Sequence, residues 1–151
     1  MTHYKMSDPA YWESPGKFSE LDCVIPSMKH TYFVLGDVET EQGQSALVMK
    51  MQPGHVINSH AHESTVFEVV VAGSIEVEGV EYGPGDIMML EAGEPCGRGV
   101  VGPDGCTTVE FFSTVRGAYN LIYEGADGEK IHWNSLAQRG RPQAEELNTS
   151  A

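Results

Sequence analysis

Apolar residues in this chain come in short runs, and glycine and proline separate them. The runs are Thr31 to Leu35, Ser45 to Met51, His55 to His60, Thr65 to Ala72, Ser74 to Glu78, Asp86 to Leu90, Thr107 to Thr114 and Tyr119 to Tyr123. Each has the length and the β-branched or aromatic content of a strand, and turn residues recur at intervals of roughly ten positions. No window longer than about 12 residues repeats its apolar positions every 3.6 residues, so helices are not predicted. The pattern predicts an all-β sandwich or barrel. Turns are predicted at Gln52-Pro53-Gly54, at Tyr82 to Asp86 and at Pro103-Asp104-Gly105. Ala72-Gly73-Ser74 is expected to join two strands tightly, with Gly73 at positive φ. Residues 1–30, with Pro9, Pro15 and Pro26, read as an N-terminal arm, residues 31–134 as the β-barrel, and residues 135–151 as a polar tail.

Length and charge narrow the function. A chain of 151 residues is one domain, and 40% hydrophobic against 21% charged residues is a folding composition. The net charge of −13 repels phosphate backbones and anionic lipid, so nucleic-acid and membrane partners are not expected. No apolar run approaches the roughly 20 residues that cross a bilayer. The N-terminus lacks the apolar core of a signal peptide. Cys23, Cys96 and Cys106 form no disulfide pattern, and the expected compartment is the reducing cytoplasm.

The chemistry starts at Gly54-His55-Val56-Ile57-Asn58-Ser59-His60-Ala61-His62. On a strand, His60 and His62 share a face, with Cα atoms on the order of 7 Å apart at a rise of about 3.3 Å per residue. Two imidazoles converging from that distance can share a metal ion; the alternative is a pair of solvated histidines at a loop edge. Glu68 lies in Val66-Phe67-Glu68-Val69-Val70-Val71, where both faces are otherwise apolar. A carboxylate there needs a partner, a cation or an outward position on an edge strand. Glu110 in Val109-Glu110-Phe111-Phe112 poses the same question less sharply, while Glu76 and Glu78 alternate with Ile75 and Val77 as a wet face. His55 has the opposite parity to the pair and is expected outside the site. His30 and His132 are expected at the surface. Met49, Met51, Met88 and Met89 are expected as core filler, and some of them, with Phe33, Phe67, Tyr82 and Phe112, could wall a pocket. Arg98 is either an exposed cation or a clamp for a substrate carboxylate or enolate. Cys96 and Cys106 read as small buried residues, and nothing argues for reactivity at Cys23.

Over about Leu47 to Phe112 the chain resembles the cupins. Gly54, His60, His62 and Gly73 fit the first cupin motif, G-x5-H-x-H-x3,4-E-x6-G, and Gly85 and Gly93 fit the second, G-x5-P-x-G-x2-H-x3-N. The resemblance implies a cupin-type double-stranded β-helix (a jelly-roll barrel), commonly dimeric, with one divalent metal at its mouth. Four positions depart from it: Val66 stands where the family has its ligand Glu, Cys96 where it has the second-motif His, Glu91 for Pro and Val100 for Asn. Glu68, one pleat beyond Val66 on the same face, is one repair. A Cys96 thiolate is another. The implied ligand set is therefore drawn from His60, His62, Glu68 and Cys96, with iron first and manganese, zinc or nickel as alternatives.

The function expected from this resemblance is a metal-dependent enzyme of dioxygenase type acting on a chelating oxygenated substrate: a diketone, a hydroxyketone or an aromatic compound. Glu68 would be its base and Arg98 its anion clamp. Isomerase or lyase chemistry on a similar substrate is the second expectation, and a non-catalytic small-molecule binding cup the third. A homodimer is expected from the resemblance alone.

Overall fold

The computed structural model describes residues 1–13, 27–35 and 42–134. Among the described residues ten strands carry the fold: β1 (Met28–Leu35), β2 (Gln44–Met51), β3 (Val56–Ile57), β4 (Ala61–His62), β5 (Val66–Val77), β6 (Val80–Tyr82), β7 (Ile87–Leu90), β8 (Gly99–Phe112), β9 (Asn120–Glu124) and β10 (Lys130–Asn134). One short helix, α1 (Val115–Tyr119), precedes β9, and a 3-10 turn spans Pro9–Glu13. The larger sheet runs β1-β2-β8-β5-β6, with β3 paired to β8 and β7 to β5; the smaller runs β10-β9-β4. All pairings are antiparallel. Two sheets enclosing one core is the expected all-β jelly roll.

Alternation along the strands sorts the residues by face. Val66, Glu68 and Val70 of β5 turn inward, as do Thr108, Glu110 and Phe112 of β8 and Leu47, Met49 and Met51 of β2, and all are buried. Tyr32, Leu47, Met49, Met51, Val66, Val70, Ile75, Val101, Cys106 and Phe112 form the core with α1.

Two expected turns are not turns. Residues 66–77 form a single strand across Gly73, and Pro103-Asp104-Gly105 lies within β8. The register between β5 and β8 shifts between Val70 and Ala72 and again between Gly73 and Ile75. Such a bulge reverses the inward parity, from even numbers at Val70 to odd at Ile75, which in the sequence looks like a break between strands. Gly73 does have the expected positive φ, at 72°. A side chain there would collide with the Gly105 carbonyl of the facing strand.

At the N-terminus, Tyr4 and Tyr11 pack their rings on Phe33 of β1, with centroids 5.1 and 5.5 Å away. Of the arm proposed for residues 1–30, the described residues 1–13 thus touch β1, which itself begins at Met28. Cys23 and the tail of residues 135–151 lie outside the described residues.

Candidate active site

Both histidines of the H-x-H segment turn into the barrel. His62, in β4, is buried at 6% exposure, and the His60 and His62 rings lie 5.0 Å apart at 74°. Each ring is oriented through Nδ1. His62 Nδ1 donates to the Gly117 carbonyl at 2.8 Å, and His60 Nδ1 donates to the Asn58 carbonyl at 2.7 Å. With Nδ1 so engaged, Nε2 is the nitrogen left for a ligand, the usual arrangement behind a metal-bound histidine. The acceptor for His62 depends on α1. Thr114 caps the helix by accepting from the Gly117 amide at 3.3 Å, and a side chain on Gly117 would strike Ser64.

The loop after β7 is laced to the same segment. Gly93 N donates to His62 O at 2.8 Å, and Cys96 N donates to His60 O at 2.9 Å. This pairing explains why the second motif must keep its spacing relative to the first. It also carries the Cys96 side chain to the ring: Sγ lies 3.7 Å from His60 Nδ1. The sulfur thus meets the nitrogen that a ligand role does not use, and Cys96 is a partner of the His60 ring in this geometry.

Glu68 and Glu110 are direct partners across β5 and β8, and both line the cavity beneath the histidines. They are 7% and 8% exposed. The cavity has a volume of about 120 Å³. Its apolar wall is built from Met28, Tyr32, Met49, Met88, Tyr123 and Trp133. His30 and His55 also line it, where His30 is expected at the surface and His55 outside the site. Phe33, Phe67, Tyr82 and Phe112 do not line it, and Met89 is 65% exposed instead of filling the core.

The environment shifts the titrating groups apart. Burial pushes the Glu68 carboxyl up, against smaller pulls from the Thr108 hydroxyl and His60. Burial and the facing Glu68 hold the Glu110 carboxyl well above its ordinary range. Two buried carboxyls that face each other oppose one another's ionisation. Burial and the His60 charge lower His62 to about 3. Burial would lower His60 too, but the Cys96 thiolate and its hydrogen bond outweigh that, pushing His60 up to about 9. Burial opposes ionisation of Cys96, and His60 overcomes it, so the thiol is lowered. Cys106 is buried, and that burial with the Glu68 charge raises its thiol to about 11.

The remaining sequence candidates fall elsewhere. Arg98 is exposed and off the cavity wall, its amide donating to Glu78 Oε1 at 2.7 Å, so the expected substrate clamp is not at the site. His132 is exposed, 3.8 Å from Glu63. The residue that sequence reasoning underweighted is Glu110. Its signal was present as a carboxylate in an apolar run, but only the strand register places it opposite Glu68.

No family profile matches the chain, and a search of curated proteins returns no relative. Solved structures do match. An acetylacetone dioxygenase from Acinetobacter johnsonii aligns over 82% of this chain and 79% of its own, with TM-score 0.52 and 15% identity. An RmlC-like cupin protein from Ralstonia eutropha aligns over 75% and 69%, with TM-score 0.55 and 17% identity. Oxalate decarboxylase from Bacillus subtilis aligns over 64% of this chain and 27% of its own, with TM-score 0.51 and 16% identity. These names span different chemistries on one architecture, so the likeness speaks to the fold and leaves the reaction to the site. With the glycines of both motifs and the His60 and His62 pair in register, and these neighbours in agreement, the chain has the cupin fold.

Proposed function

We propose that the cavity is the active site of a metal-dependent enzyme of dioxygenase type, acting on a small chelating molecule such as a diketone, a hydroxyketone or an aromatic compound. One observation carries the reading. His60 and His62 both commit Nδ1 to backbone carbonyls and leave Nε2 free, on rings 5.0 Å apart, above two buried carboxyls. That donor set suits a divalent ion held by His60 and His62, with iron first and manganese, zinc or nickel as alternatives. Among the described residues no three His, Cys, Asp or Glu side chains converge on one point, so His60 and His62 supply two ligands. When bound, such an ion acts as a Lewis acid that acidifies a chelated hydroxyl or α-carbon and, if redox-active, handles oxygen.

The chain's own residues then do the following. The aromatic and methionine wall holds the apolar body of the substrate and excludes water. Of the Glu68 and Glu110 carboxyls, the ionised one accepts the proton that the substrate gives up, and the other keeps its own. Cys96 and the Asn58 carbonyl hold the His60 ring in position.

A second reading, a non-catalytic binding cup, is favoured by the absence of three converging ligands among the described residues. Anaerobic loading with ferrous ion separates the two. The enzyme reading predicts that 2,4-pentanedione or a catechol changes the ion's absorption spectrum and that oxygen is then consumed. Ligand binding with no spectral change and no oxygen uptake supports the cup.

A further inference from the structure

The two site histidines are held by different parts of the chain. His60 Nδ1 bonds to the Asn58 carbonyl, two residues away. His62 Nδ1 bonds to the Gly117 carbonyl, 55 residues away. Gly117 has no local reason to be glycine. It lies inside α1 without a positive φ, and glycine is, proline apart, the poorest helix former. The reason lies across the gap to the end of β4. A Cβ on Gly117 would lie 2.9 Å from the Ser64 backbone nitrogen and would overlap the Ser64 side chain. Ser64 is only 4% exposed, and its Oγ makes no hydrogen bond among the described residues, so it is wedged against α1 by packing alone. On the outer side, Arg116 Nε donates to Glu63 Oε2 at 3.1 Å. Neighbouring residues of α1, Arg116 and Gly117, thus meet neighbouring residues Glu63 and His62, one pair outside and one inside. An exposed ion pair holds weakly, so the seating of α1 rests on the close approach at Gly117.

We propose that Gly117 is the positioning residue for His62: its missing side chain lets α1 press a carbonyl onto Nδ1 and so keeps Nε2 bare and aimed into the cavity. The inference rests on the reading of His60 and His62 as metal ligands, and adds a residue that lies outside both cupin motifs. A carbonyl only accepts, so the proton sits on Nδ1 and the lone pair on Nε2. A partner of this kind behind a ligating histidine fixes the ring's orientation and raises its basicity. Thr114 acts one step further back. It caps α1 by accepting from the Gly117 amide at 3.3 Å, which holds the same peptide segment in place.

Zinc affinity, read by competition with a chelating dye, is the first measurement. Gly117→Ala is expected to bind zinc about tenfold or more weaker than wild type. Gly73→Ala, which strains the barrel at the bulge, is expected to keep the wild-type affinity at a temperature where it is folded. An equal loss in Gly73→Ala, or none in folded Gly117→Ala, overturns the proposal. The second measurement needs no metal. In nitrogen NMR of the metal-free protein near neutral pH, wild-type His62 is expected to carry its proton on Nδ1, and Gly117→Ala to show a mixture of the two tautomers. A proton on Nε2 in wild type, or the same tautomer in the variant, overturns the proposal. If Gly117→Ala does not fold, Thr114→Ala takes its place: zinc binding about threefold weaker, restored by Thr114→Ser, is expected, and an unchanged affinity overturns the proposal. If wild type takes up no zinc but the tautomer shifts as described, the metal reading fails and this one stands. If wild type takes up zinc and Gly117→Ala moves neither readout, this one fails and the metal reading stands.

Discussion

Glu68 and Glu110 sit directly opposite one another on β5 and β8, both facing inward, both under a tenth exposed. Cross-strand neighbours of like charge destabilise a sheet, and burial multiplies the effect. This pair shapes the stability of the protein as well as the character of its cavity.

In the metal-free protein the pair predicts a pH dependence. Both folded-state carboxyls are raised above their ordinary 4.5, by burial first in each case. A raised folded pKa gives stability that is complete below the unfolded value and lost as pH rises toward the folded one. His62, held at about 3, acts in the opposite direction, losing stability as pH falls below its ordinary 6.5. The carboxyl pair is isolated by comparison: in thermal melts of metal-free protein, Glu110→Gln should gain Tm over wild type as pH rises above about 4.5. A difference between the two that does not change with pH contradicts the assignment.

Cys96 should control the His60 titration in the same metal-free state. The thiolate keeps His60 at about 9 against the pull of burial. Replacing Cys96 by Ser removes that charge and leaves burial dominant, so the pKa should drop below 9. An NMR titration of the His60 ring reads this directly. An unmoved curve in Cys96→Ser would mean that the sulfur and the ring do not interact as described.

The bulge makes a backbone prediction. Gly73 sits at φ 72° with the Gly105 carbonyl where a side chain would be, whereas Gly54, at φ 74°, has open space around it. Both Gly→Ala changes strain the backbone, and only Gly73→Ala adds a collision. Gly54→Ala should cost about 1 kcal/mol of unfolding free energy, and Gly73→Ala roughly 3 kcal/mol or more. Chemical denaturation measures both. Equal costs would remove the close approach of β5 and β8 from the account.

Much of this was legible in the sequence, for identifiable reasons. The apolar runs around Leu47, Val66 and Val109 are short and set apart by glycine and proline, so their strands and the all-β class could be read directly. The parity of His60 and His62 placed them on one face, and the lone carboxylate at Glu68 announced an inward charge. What escaped depends on distant parts of the chain meeting. The bulge at Gly73 inverts parity in mid-strand and reads as a turn. Glu110 gains its meaning only from the register that sets it against Glu68. Cys96 reaches His60 Nδ1 because its amide is bonded to the His60 carbonyl 36 residues away. The inward turn of His55 and the outward position of Arg98 likewise follow from where β3 and the loop before β8 run.

The central claim is that the Nε2 atoms of His60 and His62 grip a cation. Metal analysis of protein purified without chelator, wild type beside His62→Ala, tests it most directly. The account predicts about one divalent ion per chain in wild type and loss of most of it in the variant. Trace metal in wild type under metal-replete conditions, or a full complement retained by His62→Ala, would contradict it.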